Sequence, residues 1–133
     1  MKGHKSSFTM KIAIIAHDGK KAEMVNFLLT NLDLLKQSDI ELVATGTTGS
    51  HVAEAGLKVE KVLSGPLGGD AQIATQVANN EVDMVLFFRD PLGKHPHEPD
   101  IYMLMRLCDV YNKPLATNPA TAKMLFKALR AKS

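Results

Sequence analysis

Residues 40–49, Ile40-Glu41-Leu42-Val43-Ala44-Thr45-Gly46-Thr47-Thr48-Gly49, decide the fold class. The first half is apolar and β-branched, and it gives way abruptly to a segment of threonine and glycine. A short apolar run bounded by turn residues fits a strand buried on both faces, as in a parallel sheet. The same pattern recurs on either side. Lys11 to Ala16 is closed by His17-Asp18-Gly19, and Val59 to Leu63 by Ser64-Gly65-Pro66-Leu67-Gly68-Gly69. Val82 to Phe88 is followed by a loop, Arg89 to Pro99, that carries three prolines. Leu115 to Thr117 is a short fifth run. In the third run Lys58, Glu60 and Lys61 alternate with apolar residues, which marks an edge strand.

Helical spacing fills the intervals. Val25, Leu28, Leu29, Leu32 and Leu35 follow the i, i+3, i+4, i+7 pattern of an amphipathic helix. A short helix over Ser50 to Ala55 stops at Gly56. Asp70 to Ala78 turns Ile73 and Val77 inward, Ile101, Leu104, Met105 and Cys108 share one helix face, and Thr121 to Leu129 forms the last helix. Strands alternating with helices imply a three-layer, Rossmann-like α/β fold, with five parallel strands and helices on both faces. Ligands bind such sheets outside the carboxyl ends of the strands. His17, Thr45, Ser64, Asp90 and Thr117 all stand there.

Composition narrows the function classes. A chain of 133 residues that is 45% hydrophobic fits one domain, assigned to residues 10–133. Met1 to Thr9 is polar, lacks the apolar core of a signal peptide, and reads as a disordered extension ahead of Met10. The single cysteine suggests a reducing, cytoplasmic setting. A net charge of +2, with two Tyr and five Phe as the only aromatics, argues against nucleic-acid binding. No apolar run approaches the roughly 20 residues of a membrane span. His95 and His97 lie two apart in a proline-rich loop, without zinc-site spacing, so no metal is expected.

Thr45 to Gly49 reads in two ways. Exposed N–H groups and threonine hydroxyls at a helix start can surround a phosphate, and the same residues can simply make a strand-to-helix turn. A dinucleotide or a P-loop nucleotide is disfavoured, because neither glycine fingerprint is present. Ser64 and Gly65 offer a second hydroxyl and N–H at a neighbouring strand end, and Lys21 can neutralise the same anion or stay solvated. Asp70 and Asp100 each begin a helix, as N-caps or as general bases. His17 and His97 can hydrogen-bond a carbonyl oxygen. Asp18 and Asp90 can orient a histidine or cap a turn.

Taken together, five blocks closely resemble methylglyoxal synthase in order and spacing. They are Ala16-His17-Asp18, Ala44 to Gly49, Ser64 to Asp70, Phe88-Arg89-Asp90-Pro91-Leu92 and Pro96-His97-Glu98-Pro99-Asp100. The resemblance runs from about Lys11 to Leu129. It implies a cytoplasmic lyase that converts dihydroxyacetone phosphate to methylglyoxal and inorganic phosphate without a cofactor. It also implies a homohexamer, with phosphate as product and candidate inhibitor. On this resemblance Asp70 is the catalytic base, His97 and Asp100 its partners in proton transfer, and His17 a ligand of the substrate's oxygen. Lys21, Thr45, Thr47, Thr48, Ser64 and Gly65 form the phosphate cradle. The alternative is a non-catalytic module of the same superfold, such as the effector-binding domain of carbamoyl phosphate synthetases. Such a module needs the cradle but has no use for Asp70, His97 and Asp100 together.

Overall fold

The structure is a computed structural model that describes residues 10–37, 39–64, 67–93 and 101–131. Strand β1 spans Met10–Ala16, and a 3-10 turn over Asp18–Lys20 leads into α1, Lys21–Thr30, and α2, Leu32–Leu35. Then come β2 (Ile40–Thr45), α3 (Gly46–Glu54), β3 (Glu60–Val62) and α4 (Gly69–Ala78). Strand β4 (Met84–Phe88), α5 (Ile101–Val110), β5 (Leu115–Ala116) and α6 (Pro119–Ala131) complete the described chain.

The five strands form one parallel sheet in the order β3-β2-β1-β4-β5. The expected fold class is therefore present, with β3 at an edge. The two-residue period of the strands explains why the apolar runs are continuous. Ile12, Ile14, Ala16, Leu42, Ala44, Leu86 and Phe88 pack on one face with Met24, Leu28, Val52 and Phe126. Ala13, Ile15, Val43, Val85 and Phe87 pack on the other with Ile73, Val77, Leu104 and Cys108. So α1, α2, α3 and α6 cover one face, and α4 and α5 the other.

Of the element boundaries that differ from the sequence reading, three bear on the site or its support. The leucine-rich helix is two helices, broken at Asn31, whose side chain donates to the Phe27 carbonyl at 2.8 Å while Thr30 Oγ1 donates to that of Asn26 at 2.8 Å. Its buried face is therefore Met24 and Leu28, whereas Leu29 is 41% exposed. Helix α3 begins at Gly46, not Ser50, so the Gly/Thr segment is its first turn instead of a loop before it. In α4, Gly68 at φ 101° is the N-cap and Asp70 the second helical residue, which removes the N-cap reading of Asp70. No helix among the described residues is long and apolar enough to cross a membrane.

Candidate active site

The strand order switches direction between β1 and β4: β2 and β3 lie to one side, β5 to the other. His17 follows β1 at this switch point and is 8% exposed. Its backbone N–H donates to the Phe88 carbonyl at 3.0 Å, continuing the β1–β4 ladder by one rung. The Asp90 backbone N–H donates to His17 Nδ1 at 2.9 Å, and the ring stands edge-on to Phe87 at 5.3 Å. With Nδ1 accepting, a neutral ring carries its proton on Nε2 and presents that N–H as a donor. Asp90 thus orients the histidine through its amide, not its carboxylate. Its Oδ1 accepts the Leu92 N–H at 3.1 Å within the following turn. Asp18 Oδ1 takes Lys21 Nζ at 2.7 Å. An ammonium has three donors, so this pair leaves Lys21 able to meet an anion as well.

The phosphate-class residues gather one and two strands away. Thr45 ends β2, 5% exposed, and is the N-cap of α3 without a side-chain capping bond. The N–H groups of the first helical turn therefore have no side-chain cap, which is the usual ground for anion binding. Thr47 is exposed in that turn. Thr48 is fully buried, and its Oγ1 has no hydrogen-bond partner among the described residues. A buried hydroxyl without a partner costs about 1–3 kcal/mol, so its retention asks for a ligand.

Two glycines bring the next strand end close. A Cβ on Gly46 would lie 3.2 Å from the Ser64 nitrogen, and one on Gly69 only 1.7 Å from the Leu63 carbonyl oxygen. The Gly46 N–H donates to Leu63 O at 3.3 Å, and the Gly69 N–H to Ser64 O at 2.9 Å. Gln72 Oε1 accepts the Leu63 N–H at 2.7 Å and holds the segment from above α4. The amino ends of α3 and α4 thus converge on Leu63 and Ser64. Asp70 stands in the first turn of α4, half-buried, with Oδ1 3.0 Å from the Ala71 nitrogen.

Of the residues singled out from sequence, His17, Lys21, Thr45, Thr47, Thr48, Ser64 and Asp70 occupy the carboxyl ends of β1, β2 and β3 or the helix starts that follow. Gly65, His97 and Asp100 lie outside the described residues. The roles of Gln72 and of the Asp90 amide escaped the sequence reading. Both act over distances in sequence that no local pattern reports.

An MGS-like domain model matches residues 27–117, more than half of the chain. Among curated relatives, a methylglyoxal synthase of Geobacillus sp. (strain WCH70) is 58% identical over 121 residues, covering 90% of this chain and 85% of its own. One from Lysinibacillus sphaericus (strain C3-41) is 57% identical over 122 residues, 91% of this chain and 90% of its own. Among solved structures, the methylglyoxal synthase of Elizabethkingia anophelis NUHP1 superposes with a TM-score of 0.82 at 41% identity, covering 88% of this chain and 76% of that one.

Proposed function

The chain belongs to the methylglyoxal synthase family, and from that premise we propose that it converts dihydroxyacetone phosphate to methylglyoxal and inorganic phosphate. The observation that carries the chemistry is the convergence of two helix starts on Leu63 and Ser64. One bears a threonine hydroxyl, without a partner among the described residues and suited to phosphate, the other a carboxylate. An effector-binding module has use for the first alone.

The proposed sequence of events needs only the chain's own groups. The anionic phosphate of the substrate is held by α3 N–H groups, Thr45, Thr47, Thr48, Ser64 and Gly65, with Lys21 as counter-charge. Asp70 takes a proton from the hydroxyl-bearing carbon beside the carbonyl. The C–H electron pair forms the carbon–carbon double bond of an enediolate, and the carbonyl oxygen gains the charge. His17 Nε2–H donates to that oxygen, a role its Nδ1 acceptor bond to Asp90 supports. His97 and Asp100 assist proton transfer. The hydroxyl on the deprotonated carbon then gives up its proton and becomes the aldehyde carbonyl, the double bond shifts toward the terminal carbon, and the C–O bond to phosphate breaks with its electron pair leaving on the phosphate. Protonation of the resulting enol at its terminal carbon gives the methyl group of methylglyoxal. We place the enzyme in the cytoplasm, as a carbon–oxygen lyase acting on a phosphate ester. We assign it a homohexamer, for which exposed Leu67, Leu92 and Tyr102 offer apolar surface at 69%, 89% and 69% exposure. Residues 1–9 we take as an extension outside the domain.

The test is an incubation with dihydroxyacetone phosphate in EDTA, assaying methylglyoxal and inorganic phosphate together. Equal amounts are expected. Phosphate alone would mean a phosphatase, glyceraldehyde 3-phosphate an isomerase, and no turnover with retained binding the effector module. Asp70→Asn should lower kcat by roughly 10² or more while leaving Tm nearly unchanged, because the side chain is not the cap of α4. Near-normal turnover would remove Asp70 as base.

A further inference from the structure

On the α1 and α6 side of the sheet, past the ends of β4 and β5, lies a cavity of about 280 Å³ that the chemistry above does not use. Two cations line it, Lys20 from the 3-10 turn and Arg89 from the residue after β4, together with the polar side chains of Thr117 and Asn118. Phe88 and Pro91 supply apolar wall, which keeps the local dielectric low and strengthens any ion held there.

The charge balance favours an anion. Glu23 is the one carboxylate among the described lining residues, and Lys20 Nζ pairs with it at 3.4 Å, leaving the guanidinium of Arg89 in excess. The Nε of Arg89 is buried and has no hydrogen-bond partner among the described residues. The Arg89 backbone N–H donates to the Thr117 carbonyl at 3.3 Å, which roots the side chain beside that strand end. A buried cationic donor without an acceptor is rare in a folded chain, and an oxyanion satisfies it with charge-assisted bonds. The start of α6 contributes little by itself. Pro119 lacks an N–H, and Asn118 Oδ1 already accepts the Thr121 N–H at 3.1 Å. That bond leaves the NH₂ of the Asn118 amide as its remaining polar group.

We propose that this cavity is a second oxyanion site, separate from the cradle at α3, that takes a small phosphate-class anion on Arg89 and Lys20 with Thr117 and Asn118 as further donors. Its placement gives binding a route to the candidate active site. Lys20 immediately precedes Lys21, and Arg89 immediately precedes Asp90, whose amide fixes His17.

Equilibrium dialysis with radiolabelled inorganic phosphate tests this on the intact chain. Wild type should bind two phosphates per chain and Arg89→Met one, the lost one being insensitive to Thr48→Val. Lys20→Met, which keeps an apolar stem of similar length, should weaken the same site at least about tenfold, as loss of a charged hydrogen-bond partner does. Sulfate should displace this phosphate, and chloride at equal ionic strength should not. If wild type binds one phosphate that Arg89→Met abolishes and Thr48→Val spares, this site stands and the cradle falls. Unchanged stoichiometry in Arg89→Met, or displacement by chloride as effective as by sulfate, overturns the second site. Should Arg89→Met fail to fold by circular dichroism, an unaltered affinity in Lys20→Met overturns it instead.

Discussion

Replacing Thr48 by valine separates a ligand-binding hydroxyl from a core threonine by the sign of two effects. Valine keeps the branched shape at a fully buried position and exchanges only Oγ1 for a methyl group. Thr and Val also have similar helix propensities, so the first turn of α3 is not directly penalised. In the free protein that oxygen has no partner among the described residues, and such burial costs about 1–3 kcal/mol. At the low end, Thr48→Val therefore stabilises the unliganded chain by about 1 kcal/mol. For a domain of this size that is a rise in Tm of roughly 3–5 °C.

With ligand the order reverses. A phosphate-bearing ligand at about 100 times its Kd stabilises wild type by about 2.7 kcal/mol. Loss of one hydrogen bond to a charged acceptor, about 1.5–3 kcal/mol, weakens binding roughly 10- to 100-fold. At the same ligand concentration the variant then gains only about 0.4–1.4 kcal/mol. Wild type should therefore unfold at the lower temperature in water and at the higher one in saturating phosphoglycolate. Thermal and urea unfolding at one fixed chain concentration, with and without ligand, read both signs. A variant that is less stable alone and keeps the full ligand-dependent gain would refute the cradle at Thr48 and return it to the core.

Other outcomes follow from the same geometry. Gly69→Ala places a Cβ 1.7 Å from the Leu63 carbonyl oxygen, so β3 or α4 must move, at a loss of about 3 kcal/mol or more; a Tm within a few degrees of wild type would show that the close approach is not real. The two-point hydrogen bonding of Arg130 to Asp33, at 2.7 and 3.1 Å, pulls the Asp33 carboxyl down to about 2. A lowered folded value stabilises above the unfolded pKa and is lost as pH falls through the folded one. Asp33→Asn should therefore lower Tm at neutral pH, with the deficit closing between about pH 4 and pH 2 and shrinking in high salt. Burial, with Asp109 nearby, raises the Cys108 thiol from 9.0 to about 11, so its contribution holds below pH 9.0 and is lost as pH rises to about 11. Cys108→Ala should have a shallower alkaline fall in Tm over that window, and an unchanged slope would assign the fall to other groups.

What was legible in the sequence follows from how each element earns its stability. The strands are buried on both faces, so their apolar runs are unbroken and their order of appearance alone gave the fold class. The face of α1 was only partly legible: Leu28 is buried as read, but Met24 takes the place of Val25 and Leu29, and the helix breaks at Asn31, beside two side-chain bonds to backbone carbonyls. The start of α3 was missed for a related reason. Glycine and threonine are poor helix formers, and what draws Gly46 to Thr48 into the helix is tertiary: the Gly46 bond to Leu63 and the close approach of Ser64.

That miss bears directly on the chemistry. Glycine at positions 46 and 69 lets two helix starts close on a single strand end, which no local propensity would favour, and the cost is met by long-range packing. A loop at Thr45 to Gly49 would leave its N–H groups free to rotate toward water. As the first turn of a helix anchored on Leu63, the same N–H groups are fixed in direction before any ligand arrives. Donors fixed in advance lose little entropy on binding and need no reorganisation when charge moves from the enediolate to the departing phosphate. The first turn of α3 is thus least readable from local sequence where it is most useful to the proposed reaction. Thr48 can keep a buried hydroxyl with no partner among the described residues for the same reason, because the anchoring that forms the turn also holds that oxygen in place.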